Sequence, residues 1–260
     1  MSPGEEHPEL AREQMRARRA RAVVDGPAGR PSRERRAKRR RILIAATLLL
    51  LLAGGCGSGH GAREHGAAKA AVTRSQATAA EVTSLLAGIR QRGSTLGDAK
   101  APVTLEYFAD LQCPFCRRFT LLVLPSLIQT YVRTGKLKIE YRSLETATHY
   151  TETFRVQQIA ALAAGEQNKM WNFIDLFYHE QRRENSGYVT ERYLQDLAQQ
   201  VPGLDLIEWT AARSDPALAD AVTTDARAAA NAGLMSTPTF LVDNPRHAPY
   251  VAAIEKAVGR

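Results

Sequence analysis

Two strand-like runs flank one amphipathic helix in the middle of this chain, and that order narrows the fold more than any other feature. Residues 103–109 (VTLEYFA) follow Pro102 and are rich in β-branched and aromatic side chains, as a strand is. Residues 117–133 place Phe119, Leu122, Val123, Leu127 and Val132 on one helical face, and Gly135 ends the pattern. Pro125 falls inside that helix and should kink it, because proline removes one helical hydrogen bond. Residues 137–141 (LKIEY) alternate and read as a second strand. Strand, helix, strand at this spacing is a parallel βαβ unit, since parallel neighbours require a crossover.

From about residue 146 to 231 every pattern is helical. Met170, Phe173, Ile174 and Phe177 recur at helical spacing, as do Leu194, Leu197, Ala198 and Val201, which Pro202-Gly203 ends. Asp215-Pro216 is a helix start, an N-cap followed by proline at the first helical position, and Gly233 closes that helix. Trp171, Trp209 and the Met170 cluster read as core. Asn185-Ser186-Gly187-Tyr188 reads as a turn linking two of these helices. Residues 239–243 (TFLVD) read as a strand and residues 250–258 as a short last helix. The fold class is therefore α/β with an embedded all-helical lid.

Charge is unevenly spread. The first 41 residues hold 13 Lys/Arg against 6 Asp/Glu, while the remaining 219 hold 22 against 21. The globular part is near neutral and lacks the basic footprint of a nucleic-acid binder. The basic block ends in Lys38, Arg39, Arg40 and Arg41 and runs into residues 42–53, ILIAATLLLLLA. Basic residues, a short apolar run and then small residues form the order of an export signal. The positive charge would keep the N-terminus in the cytoplasm and place the rest of the chain outside. Cys56 comes after Leu52-Ala53-Gly54-Gly55, which resembles a bacterial lipoprotein cleavage site with Ala53 where Leu is usual. Lipidation of Cys56, an uncleaved signal anchor and a stray thiol all remain open. Either anchor places the chain on the extracytoplasmic face of a bacterial cell membrane, where disulfides persist.

These patterns divide the chain into six stretches. Residues 1–41 are a basic disordered leader and 42–55 a signal or anchor. Residues 56–95 form a linker with a short helix from about 78 to 91. Residues 96–145 and 233–260 form the two parts of the α/β domain, around a helical insertion at 146–232.

Cys113-Pro114-Phe115-Cys116 lies where the first strand meets the first helix. A helix N-terminus presents unpaired N–H groups and the positive dipole end, and both favour a thiolate over a thiol. The thiolate is the nucleophile. Cys113 should sit exposed at the cap, with Cys116 one turn later and more buried. Cys113 would then exchange with a partner, and Cys116 would resolve the mixed disulfide. Pro114 suits the first helical turn. A zinc site needs about four ligands, whereas His149 and His179 are isolated and no second cysteine pair exists. Glu106 and Asp110, just upstream, read as a strand-surface and a turn carboxylate, or as an acid serving the buried cysteine.

Leu96-Gly97-Asp98, Ala101-Pro102-Val103-Thr104, the stretch Asp110-Leu111-Gln112-Cys113-Pro114-Phe115-Cys116-Arg117-Arg118-Phe119 and the distant Ser236-Thr237-Pro238-Thr239-Phe240 together carry a resemblance. The chain resembles the DsbA-like branch of the thioredoxin superfamily, in particular its single-pass or lipid-anchored bacterial members. The resemblance implies a thioredoxin fold with an inserted all-helical subdomain. It also implies a cis peptide bond before Pro238, facing the cysteines, with Thr237 near Cys113. An extended substrate peptide would pair with the backbone edge there. Phe115 stands where the strongest oxidants of the family carry histidine, so the resemblance implies a weaker oxidant than those, though still above thioredoxin. Members usually fit a hairpin and another strand where this chain has only residues 244–249.

The activity so implied is extracytoplasmic protein-disulfide oxidation. Its partners would be cysteine-containing exported proteins and a quinone-linked membrane reoxidase, and it would need neither metal nor soluble cofactor. The same chemistry run backwards, as a reductase or isomerase, remains open. So does a membrane-tethered peptide-binding module.

Overall fold

The computed structural model describes residues 60–242. The basic leader, the apolar segment, Cys56 and the expected last helix lie outside the described residues. The core is a five-stranded mixed sheet in the order β1-β2-β4-β3-β5. Its strands are β1 (Gln91–Arg92), β2 (Thr95–Leu96), β3 (Thr104–Ala109), β4 (Lys138–Ser143) and β5 (Thr239–Val242). β3 and β4 pair in parallel, with Leu105 opposite Ile139 and Tyr107 opposite Tyr141. β5 runs antiparallel to β3 and sets Phe240 beside Tyr107.

Alternation along β3 decides what each face holds. Leu105, Tyr107 and Ala109 join the main core, while Phe108 points the other way and packs with Leu144 and Ala229. On the Tyr107 face, Phe119 and Phe240 close a three-ring cluster. Its centroids lie 4.7 Å (Tyr107–Phe119), 5.4 Å (Tyr107–Phe240) and 4.6 Å (Phe119–Phe240) apart. Such offset and tilted pairs add modestly to the area they bury.

The helix after the cysteines is not a single kinked rod. α2 (Pro114–Leu122) begins at Pro114 rather than at Arg117, because proline at the first helical position loses no hydrogen bond. The Val123 N–H closes α2 on the Phe119 carbonyl, and α3 (Leu124–Leu127) restarts with Pro125 in its first turn. A π-helical turn, Ile128–Val132, comes next. The break thus falls just before Pro125, where its missing N–H costs nothing.

α1 (His60–Leu86) precedes the sheet, and Val82 and Leu86 are buried in the main core. β1 and β2 form a two-residue-loop hairpin through Gly93, whose φ is +55°. These strands have no signature in the sequence, since two residues are too few for alternation to show. Gly97 has φ +112°, and a Cβ there would meet the Leu137 carbonyl oxygen and Val132 Cγ1, each at 3.0 Å. Glycine is therefore required at the Leu96-Gly97-Asp98 step.

The insertion comprises α4 (Thr151–Glu166), α5 (Met170–His179), α6 (Glu191–Ala198), α7 (Leu206–Ala212) and α8 (Pro216–Asn231). The Trp209 indole N–H donates to the Ala160 carbonyl at 2.9 Å, tying α7 to α4. The Tyr141 hydroxyl donates to Gln158 at 3.0 Å, tying β4 to α4. Among the described residues no helix is long and apolar enough to cross a membrane.

Candidate active site

Cys113 is the N-cap of α2, with φ −69° and ψ 122°. Its Sγ accepts the backbone N–H of Cys116 at 3.4 Å, which satisfies one of the helix's orphan donors. Its S–H donates to the Thr237 carbonyl at 3.4 Å. The peptide bond between Thr237 and Pro238 is cis, and both residues are buried. Residues 124 positions apart thus meet at one sulfur. Both cysteines are free thiols.

The expectation of an exposed Cys113 needs correction. It is only 3% exposed, and Cys116 is fully buried. The residue at the cap is covered because the Thr237-Pro238 segment lies against its sulfur. The exposed member of the motif is Phe115, at 58%. Other exposed large apolar side chains include Met235 at 88%, two residues before Thr237, and Tyr150 at 67%, the N-cap of α4.

The two thiols are pushed apart in acidity. Cys113 is lowered to about 6, first by the hydrogen bond from the Cys116 side chain. Thr237 and the backbone N–H groups of Cys116 and Phe115 add to this, and burial opposes it. Cys116 is raised well above the ordinary thiol range, first by burial and then by its hydrogen bond and proximity to Cys113. Desolvation penalises the charged form, while donors aimed at it favour it. These shifts favour the thiolate at Cys113 and the protonated thiol at Cys116.

Behind the cysteines, the two upstream acids part company. Glu106 leaves the site and pairs with Arg142 at 3.0 Å, in a group that includes Asp225 at 3.2 Å from the same guanidinium. Asp110 is fully buried and holds a loop. One of its oxygens accepts the successive backbone N–H groups of Thr146, Ala147 and Thr148 at 3.1, 2.9 and 2.8 Å. The other accepts the Gln112 N–H at 2.9 Å and the Thr148 hydroxyl at 2.6 Å. The Thr146 hydroxyl in turn meets the Thr237 hydroxyl at 2.5 Å. Asp110 therefore links the segment before Cys113 to the segment that touches its sulfur.

The helical insertion also reaches this site. The Gln181 side chain donates to the carbonyls of Leu111 and Cys113 at 2.8 and 3.2 Å. Sequence reasoning missed Thr146 and Gln181, because nothing local marks them, and it read Asn185 only as part of a turn. Among the described residues no group of three or more His, Cys, Asp or Glu side chains is placed to hold a metal ion. Cys56 lies outside the described residues.

Comparison with known proteins agrees with this geometry. A family model described as Thioredoxin matches residues 90–258. The chain is 24% identical over 173 residues to a probable disulfide bond formation protein D of Bacillus anthracis, a match covering 64% of this chain and 76% of that one. The oxidised BdbD structure of Bacillus subtilis is similar with a TM-score of 0.52 at 21% identity, covering 66% of this chain and 98% of that one. Wolbachia pipientis alpha-DsbA1 is similar with a TM-score of 0.50 at 20% identity, covering 67% and 92%. With its cysteine pair at a helix cap against a cis-proline segment, and a family model matched over residues 90–258, this chain belongs to the thioredoxin family.

Proposed function

We propose that this chain is an extracytoplasmic thiol–disulfide oxidoreductase that introduces disulfides into exported proteins through Cys113 and Cys116. The observation that carries the reading is the split between the two thiols, Cys113 lowered to about 6 and Cys116 raised. A low value at Cys113 stabilises the reduced pair and makes Cys113 a good leaving group, and both favour giving a disulfide away.

The reaction begins from the Cys113–Cys116 disulfide. A substrate thiolate attacks Cys113 Sγ, and the bond to Cys116 breaks. Cys116 leaves with the electron pair and, buried, takes up a proton. A second substrate thiolate then attacks the substrate sulfur of the mixed disulfide, and Cys113 leaves as a thiolate. Two substrate thiols are oxidised to one disulfide, and the Cys113–Cys116 disulfide is reduced to the dithiol. Thr237 and Pro238 present a backbone edge to the substrate chain, while Pro114 and exposed Phe115 shape the rim. The partners are cysteine-containing exported proteins and a quinone-linked membrane reoxidase that restores the disulfide. The Arg-rich leader and the apolar run at residues 42–53 support anchoring on the outer face of the cell membrane, with Cys56 as the candidate lipidation site.

Replacing Cys116 with Ala leaves Cys113 as a lone thiolate that can attack an existing substrate disulfide, expelling its other sulfur as a thiolate. It should hold the resulting mixed disulfide, because no Cys116 thiol is there to release it. In an exporting bacterial host, the full-length C116A chain should carry exported proteins linked through Cys113, lost when Cys113 is also replaced. Trapping of cytoplasmic proteins alone, or of none, would count against the reading.

A further inference from the structure

Asn185 belongs to the Asn185-Ser186-Gly187-Tyr188 turn, to which the disulfide exchange itself gives no task. Its backbone adopts φ +56°, a conformation in which asparagine is enriched among non-glycine residues. All its hydrogen bonds go to the two loops beside the cysteines. Its N–H donates to the Gln112 side-chain oxygen at 2.9 Å. Its side-chain amide donates to the Ala147 carbonyl at 2.9 Å, and its side-chain oxygen accepts the His149 N–H at 2.8 Å. One residue thus clamps the segment before Cys113 to the segment that carries Thr146.

The clamped loop is the one a substrate chain would meet. It touches Thr237 through Thr146, and it ends at exposed Tyr150. Asp110 holds it from within by the N–H groups of residues 146–148, and Asn185 holds it from the insertion by one carbonyl and one further N–H. Ala147 is gripped from both sides. From this, and resting on the oxidoreductase reading, we infer that Asn185 is a positioning residue for protein substrates: it fixes the loop from Thr146 to Tyr150 as one wall of the peptide site beside Cys113.

The test uses the full-length chain and the variant Asn185→Gly. Glycine accepts the positive φ and keeps the N–H that reaches Gln112, so only the two side-chain bonds are lost. With a dithiol peptide as substrate, KM is expected to rise about tenfold while kcat stays within about twofold, the signature of lost binding rather than lost chemistry. The pH profile of Cys113 alkylation, read on the same variant, should keep its midpoint. An unchanged KM, or a fall in kcat that tracks a loss of thermal stability, overturns the inference while leaving the oxidoreductase reading intact. A parent chain that oxidises no dithiol peptide overturns both.

Discussion

Cys116 donates its backbone N–H to Cys113 Sγ across 3.4 Å, so the first cysteine caps the helix that carries the second. The same turn brings the Cys116 thiol to Cys113, the largest single influence lowering its pKa. Alkylation of the reduced chain should therefore show a midpoint near pH 6 for Cys113. Cys116→Ala removes that donor but keeps the N–H groups, so the midpoint should move upward. A midpoint that stays near 6 in this variant would assign the effect to the helix terminus alone.

Asp110 makes the second prediction. Asp110→Ala would leave three successive N–H groups, at Thr146, Ala147 and Thr148, without their acceptor. A buried donor left unpaired costs about 1–3 kcal/mol, so urea unfolding should show a loss of about 3–5 kcal/mol. Asp110→Asn should cost nearly as much, because both oxygens accept only, and an amide nitrogen in either place would face a donor. A mild Asn variant would mean that the loop finds other partners.

What the sequence made legible divides along the range of the interactions. The βαβ unit and the inserted helices showed because apolar residues such as Leu105, Tyr107, Phe173 and Phe177 recur at fixed local spacings. The cysteine pair showed because its geometry is local to one helical turn. The break before Pro125 was foreshadowed only as a kink. The burial of Cys113 was hidden, because its cover comes from Thr237, 124 residues away. The loop contacts of Asp110 and Asn185 were hidden for the same reason: those partners lie 36 to 38 residues off, and Gln112 lies 73 from Asn185. No composition or periodicity records a hydrogen bond made across that distance.

Asp175 supplies a pH prediction. It is almost fully buried on α5, and its Oδ2 has no protein partner. Burial, with Glu81 on α1 adding repulsion, raises its carboxyl to about 7. His179 stands 3.5 Å from it and is itself lowered, first by burial, with Arg117 contributing in the same direction. A raised carboxyl binds more protons folded than unfolded. Its contribution is therefore fully present below about pH 4 and is lost as pH rises through about 7. Asp175→Asn removes that dependence. Relative to the parent, the variant should gain stability between about pH 4 and pH 7 by up to about 1.4 kcal/mol per pH unit, then level off. Urea titrations at several pH values read this directly, and a difference independent of pH would contradict it.

Phe115 is 58% exposed and can neither carry charge nor donate a conventional hydrogen bond. Phe115→His places a donor beside the Cys113 thiolate, in the position where its own backbone N–H already contributes. Donors to the charged form favour it, and a better stabilised thiolate makes the disulfide easier to reduce. The variant should be more oxidising than the parent, measured as a rise in redox potential against glutathione. An unchanged potential would remove the side chain at this position from the controls on the site.

The proposal that this pair donates disulfides is tested most directly by the equilibrium redox potential of the full-length chain in glutathione buffers. The expected value lies well above the roughly −270 mV of thioredoxin, toward the roughly −120 mV of DsbA. A value at or below that of thioredoxin would contradict the assignment and make the chain a reductase.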